Sequence, residues 1–171
     1  DEFALTFSVD LNVRAVDLFH VRMLVSGLVP DNAILHFAST APGTYQVMEK
    51  GRYVSELAAF GSDGAELGVE QISVNQWQLE DPAAVSEIRY STAETWDTPV
   101  DEHPVYPMAG TSIEDDHVLI NAHAVFPFPT GMQDAPIELR LEYPAEWEIG
   151  TPLDANDEGA YLADQYHHFV D

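Results

Sequence analysis

Strict alternation of apolar and polar residues governs the opening of this sequence. Phe3, Leu5, Phe7, Val9, Leu11 and Val13 alternate with Ala4, Thr6, Ser8, Asp10, Asn12 and Arg14. A side-chain period of two puts the first set on one face of a strand and the second in solvent. A second run repeats the pattern, with Phe19, Val21, Met23 and Val25 alternating with His20, Arg22, Leu24 and Ser26. It ends at Gly27 and the Pro30-Asp31-Asn32 turn. Two such runs in the first thirty residues commit the chain to sheet.

The rest of the sequence fits that start. A short apolar run spans Ile34 to Phe37. Tyr53 to Phe60, the Ser62-Asp63-Gly64 turn and the Leu67/Val69 alternation read as a hairpin. Asn75 opens a strand carrying Trp77 and Leu79, and Asp81-Pro82 turns the chain into Val85–Tyr90. Residues 95–117 hold three prolines and little periodicity, which predicts a long loop. Strands are expected again over Val118–Phe126 and Ile137–Tyr143, followed by a turn-rich tail with a short helical turn near Tyr166–Val170. About nine short strands and no long helix predict an all-β, antiparallel sandwich-like domain with a long proline-containing loop. The 171 residues fit a single domain over 1–171.

Charge narrows the function. Thirty acidic residues against six basic ones give a formal net charge of −24. Such a surface repels phosphate backbones and anionic headgroups, so nucleic acid and membrane insertion are not expected. Lys50 is the sole lysine and cysteine is absent. The first residues already lie in a strand pattern and no signal peptide opens the sequence, which reads as a mature or excised segment. Compartment stays open, and the composition fits the periplasm or surface of a bacterium.

A search for chemistry returns no complete site. Seven histidines are present, and none has the H-E-x-x-H spacing that aims two imidazoles at one zinc. His117 and His123 are six apart in one predicted strand, about 20 Å end to end, too far to share an ion. Asp154 to Gly159 starts like a calcium loop, but Gln165 stands where a bidentate Glu belongs, so a solvated turn is expected. No serine sits on a nucleophile elbow, and the glycines form no phosphate cradle. The chain itself is expected to be neither an enzyme nor a holder of a cofactor.

Several short stretches carry a pattern together that none carries alone. They are APGTYQV (41–47), GSDGAEL (61–67), VNQWQL (74–79), TWDT (95–98), AGTSIEDD (109–116), VLINAHAVF (118–126), PAEWEI (144–149) and ADQYHHFVD (163–171). In this order they resemble the N-terminal domain of the glycyl-aminopeptidase family of zinc metallopeptidases, of the gluzincin type, whose members often carry a PDZ domain. The sequence departs from the family pattern at Thr44, where serine is commoner, and in the basic residues, which wait until Lys50 and Arg52. The resemblance implies a non-catalytic domain whose catalytic zinc domain and PDZ domain lie downstream, outside this chain. Zinc is expected in that absent domain, with the motif glutamate there as general base for removing small N-terminal residues from peptides. The implied partner is the protein's own catalytic domain, and peptide substrate meets the chain only through it. From motif position, Pro42, Gly43, Thr44, Tyr45, Asn121, His123 and Phe126 are the candidate interdomain or cleft contacts.

The competing reading is a free-standing β-sandwich module for carbohydrate or protein ligands. It draws on Trp77, Trp96 and Trp147, because exposed indoles stack on sugars and anchor interfaces.

Overall fold

The computed structural model describes residues 4–41, 43–97 and 105–171. The two alternating runs become β1 (Leu5–Asp10) and β2 (Leu18–Val25), adjacent and antiparallel with Phe7 opposite Met23. Leu5, Phe7, Val9, Phe19, Val21, Met23 and Val25 are all buried, as the period of two requires. Val13, expected on the same face, is exposed. The chain leaves the sheet before it, where the Asp10 carboxylate accepts the backbone N–H of Asn12 at 2.9 Å and turns the strand away.

The remaining strands are β3 (Ile34–His36), β4 (Val54–Gly61), β5 (Glu66–Leu67), β6 (Val69–Ser73), β7 (Gln76–Leu79) and β8 (Val85–Ala93). Beyond the long loop come β9 (Ser112–Ile113), β10 (Val118–Leu119), β11 (Phe128–Pro129), β12 (Ile137–Glu142), β13 (Asp154–Ala155) and β14 (Tyr161–Ala163). Eight of them form one sheet in the order β13-β14-β12-β1-β2-β8-β4-β5, and four form a second in the order β11-β3-β7-β6. β9 and β10 pair as a separate ribbon within the loop region. The fold class is the expected all-β sandwich, with one departure from pure antiparallel pairing. β1 and β12 run parallel, with Phe7 opposite Leu139. No hairpin can make that contact, because more than a hundred residues separate the two strands.

The core lies between the two sheets. Phe37, just past β3, meets Tyr90 of β8 edge-on with centroids 5.3 Å apart, and Trp77 of β7 at 5.1 Å. At the other end Phe7, Phe126 and Phe169 pack on one another, with Phe7 and Phe169 stacked at 5.7 Å and 7°.

The predicted strand over Val118–Phe126 is corrected. Only Val118–Leu119 is extended, and Ala122–Val125 forms a single helical turn, α1. Alanines at 122 and 124 favour a helix. Two tyrosines then fix its end: the Tyr90 hydroxyl donates to the Val125 carbonyl at 2.9 Å, and the Tyr166 hydroxyl to the Phe126 carbonyl at 2.8 Å. The expected C-terminal helical turn is present as α2 (Tyr166–Val170). Asp154–Gly159 is strand β13 and the turn of a β13–β14 hairpin, with the Asn156 side-chain oxygen accepting the amides of Glu158 and Ala160 at 2.9 and 3.0 Å.

The six basic side chains all do internal work. Arg22 and Arg89 pair with the mostly buried Glu87, and Arg140 pairs with the buried Glu138. Arg14 stacks on Trp147 at 4.6 Å, Arg52 lies over Tyr53 at 5.0 Å, and Lys50 is wholly buried. Arg22, Arg89 and Arg140 stay more than half exposed while they pair. The Arg22 partner holds the Glu87 carboxyl below its ordinary range, which keeps that ion pair intact at neutral pH.

Candidate functional site

The turn after β3 is braced by its own threonines. Thr40 Oγ1 donates to the Gln46 carbonyl at 2.9 Å, Thr44 Oγ1 donates to the Ala41 carbonyl at 2.9 Å, and Met48 N–H donates to Ser39 at 2.7 Å. Gly43 takes φ +73, a left-handed conformation that glycine reaches without steric cost. Pro42, one of the sequence candidates, lies outside the described residues. The braced turn holds Tyr45 wholly in solvent, at 105% relative exposure. Ala41 and Met48 are buried on its inner side, against Ala109 and Val105 of the long loop.

The far side of this contact is a short helical turn at Pro107–Ala109. Two side chains grip its carbonyls. Asn121 Nδ2 donates to Met108 at 3.1 Å and to Gly110 at 2.5 Å, and Lys50 Nζ donates to Ala109 at 2.8 Å. His123 Nε2 is buried without a hydrogen-bond partner. Burial lowers the Lys50 ammonium to about 8, helped by Arg52, and lowers His123 to about 4, helped by Lys50.

The sequence candidates therefore separate by role. Gly43, Thr44 and Tyr45 form the exposed turn. Asn121 braces the neighbouring loop from beneath, His123 is buried, and Phe126 is fully buried in the core, with no surface to offer a second domain. Sequence reasoning missed the burial of Lys50, which it marked as the sole lysine and as a departure from the family's basic pattern, and the exposed Val47, Tyr106 and Met108 of the same two segments. Trp96 is also exposed, next to Thr95 at the base of the loop. Trp77 is buried and the Arg14 guanidinium covers a face of Trp147, so Trp96 alone of the three offers an open indole.

A groove of about 630 Å³ lies between β10, β12, the 144–153 segment and the end of α2. Among the described residues, no three His, Asp or Glu side chains gather into a set that fits a metal ion. His117 and Asp116 form an exposed pair at 2.8 Å on the rim of the groove, and His123 points elsewhere.

The family model for the Peptidase M61 N-terminal domain matches residues 6–171. The chain belongs to that family. This Peptidase M61 N-terminal domain also has a solved structural neighbour, described as an aminopeptidase N family protein from Idiomarina loihiensis. The two agree with a TM-score of 0.78 at 22% identity, over 98% of this chain and 28% of that one. At that identity the likeness establishes the fold, and the M61 domain spans little more than a quarter of its neighbour's length. Comparison with curated proteins gives no match.

Proposed function

We propose that this chain is the non-catalytic N-terminal domain of a zinc-dependent aminopeptidase, that it packs on the catalytic domain, and that it helps to shape the peptide cleft. The observation that carries the reading is the braced turn with the wholly exposed Tyr45 and the exposed Val47, packed against the segment that carries the exposed Tyr106 and Met108. Large apolar side chains held rigidly in water, on two segments packed against each other, mark an interaction surface. The family match supports a peptidase context, and the zinc chemistry of this reading belongs to a catalytic domain outside this chain. There zinc would activate the attacking water.

The test uses the longer polypeptide with Tyr45→Ser and Met108→Ser together. Packing through this surface predicts a fall in kcat/KM on glycyl substrates and a separation of the two domains' unfolding transitions in calorimetry. Unchanged kinetics and a single unchanged transition would sink the proposed surface. A reading frame that stops at Asp171, or peptide turnover by the 171-residue chain, would overturn the reading as a whole.

A further inference from the structure

The groove beside β12 is separate from the Tyr45 surface, none of whose exposed side chains lines it. Its volume of about 630 Å³ is in the range of ligand-binding clefts. The floor is apolar, made by Leu11, Phe126, Leu139, Leu141 and Phe169. The rim is acidic from three sides, with Asp116 before β10, Glu146 and Glu148 on the 144–153 segment, and Asp171 after α2. No lysine or arginine lines the groove, and its one histidine, His117, pairs with Asp116. From outside the lining Arg14 ties two of the walls together, stacking on Trp147 and donating to the Asp115 carbonyl at 3.3 Å.

The walls also offer main chain. β10 pairs with β9 along one edge, and no described strand pairs with its other edge. On another wall, residues 148–151 make no backbone–backbone hydrogen bond with any described residue. Burial alternates there as in a strand, with Trp147 and Ile149 partly covered and Glu148 and Gly150 exposed. Donors and acceptors left open along such a segment are what an added strand pairs with.

We propose that this groove docks an extended peptide segment that carries lysine or arginine beside apolar side chains. In an extended chain successive side chains point to opposite faces, so every second one reaches the apolar floor while those between stand at the carboxylate rim. Burial on the floor supplies the affinity, and the rim selects the sign of the partner's charge. Among the described residues no three acidic or histidine side chains gather around a point where a metal ion could sit. The carboxylates instead lie on separate walls, which matches cations spaced along a chain. The proposal does not rest on the reading of Tyr45 as an interdomain contact.

Fluorescence anisotropy of labelled Lys-Leu-Lys-Val-Lys with the 171-residue chain tests this, against Glu-Leu-Glu-Val-Glu and Lys-Ser-Lys-Ser-Lys. The first peptide is expected to bind about tenfold or more tighter than either of the others, and to weaken as salt is added. Its binding should also slow amide hydrogen exchange at residues 148–151. Leu119 lines the groove at 44% exposure, so Leu119→Lys places a like charge in the peptide's path at a position that tolerates it. Glu146→Lys with Glu148→Lys reverses part of the rim. Each change is expected to weaken binding about tenfold. Glu66→Lys with Glu70→Lys makes the same change in net charge on β5 and β6, outside the groove, and should alter binding by about twofold or less. Four results would overturn the proposal: equal binding of the three peptides, equal losses from the two charge-reversed pairs, unchanged exchange at 148–151, or a dimer of this chain that excludes the peptide. None of them bears on whether Tyr45 meets a second domain.

Discussion

Thr95 and Thr111 bond to each other reciprocally. The Thr95 amide donates to Thr111 Oγ1 at 3.1 Å, and the Thr111 amide donates to Thr95 Oγ1 at 2.8 Å. Both residues are buried, so this pair closes the base of the long loop as a strand ladder would. Thr95→Val keeps the shape, removes one acceptor and orphans a buried amide. It is expected to cost about 1–3 kcal/mol in urea unfolding. Thr111→Val should cost a similar amount, and the double variant less than their sum, because the two share one network.

Gly51 and Gly68 make a paired test of backbone approach. A Cβ on Gly51 would sit 2.1 Å from the Val74 carbonyl oxygen, a backbone atom that cannot swing away. A Cβ on Gly68 would meet the end of the Glu80 side chain, which can. Gly51→Ala is expected to destabilise by at least about 2 kcal/mol and to raise the peroxide reactivity of Met48, because residue 50 is the lysine that holds the Ala109 carbonyl over Met48. Gly68→Ala should change stability by about 1 kcal/mol or less in the same denaturation assay.

Phe169 carries the C-terminal turn into the core through its stack on Phe7. Phe169→Ala should cost about 3–5 kcal/mol, close to the loss for a central core aromatic, although residue 169 is two from the end of the chain. A loss below about 1 kcal/mol in thermal or urea unfolding would show that α2 frays independently of the core.

Lys50 gives stability an alkaline signature. Its value in the fold is about 8 against an ordinary 10.5, so between those limits the unfolded chain binds the proton that the folded chain has released. Stability must then rise with pH, by on the order of 1 kcal/mol per unit. The raised values of Tyr90 and Tyr166 act oppositely once pH passes about 10, so the window is pH 8 to 10. The difference between wild type and Lys50→Met, measured by urea unfolding across that window, isolates the lysine. A difference independent of pH would rule out a buried ammonium there.

What was legible in the sequence was what a period of two can carry. β1, β2, β8 and β12 stand where alternation or an apolar run put them, because a strand with one face in a core must repeat every second residue. Ala122–Val125 was read as strand, since four residues are too few to show a helical period and the tyrosines that anchor the turn, Tyr90 and Tyr166, are remote in sequence. The turn at Gly43–Tyr45 was visible from its residue types. That Phe126 and His123 are both buried was not, because burial belongs to the packed sheets and not to a local motif.

By itself the sequence determined the all-β class, the acidic charge, the buried faces of β1 and β2 and the family resemblance, all of which depend on neighbours in the chain or on totals. The tertiary structure alone decided the parallel β1–β12 pairing, the burial of Lys50, and the gathering of Tyr45, Tyr106 and Met108 on two packed segments. Each of these depends on residues roughly sixty or more positions apart. Only the closing of the core brings them together, since the free energy for it comes from burying both sheets at once and not from any one segment.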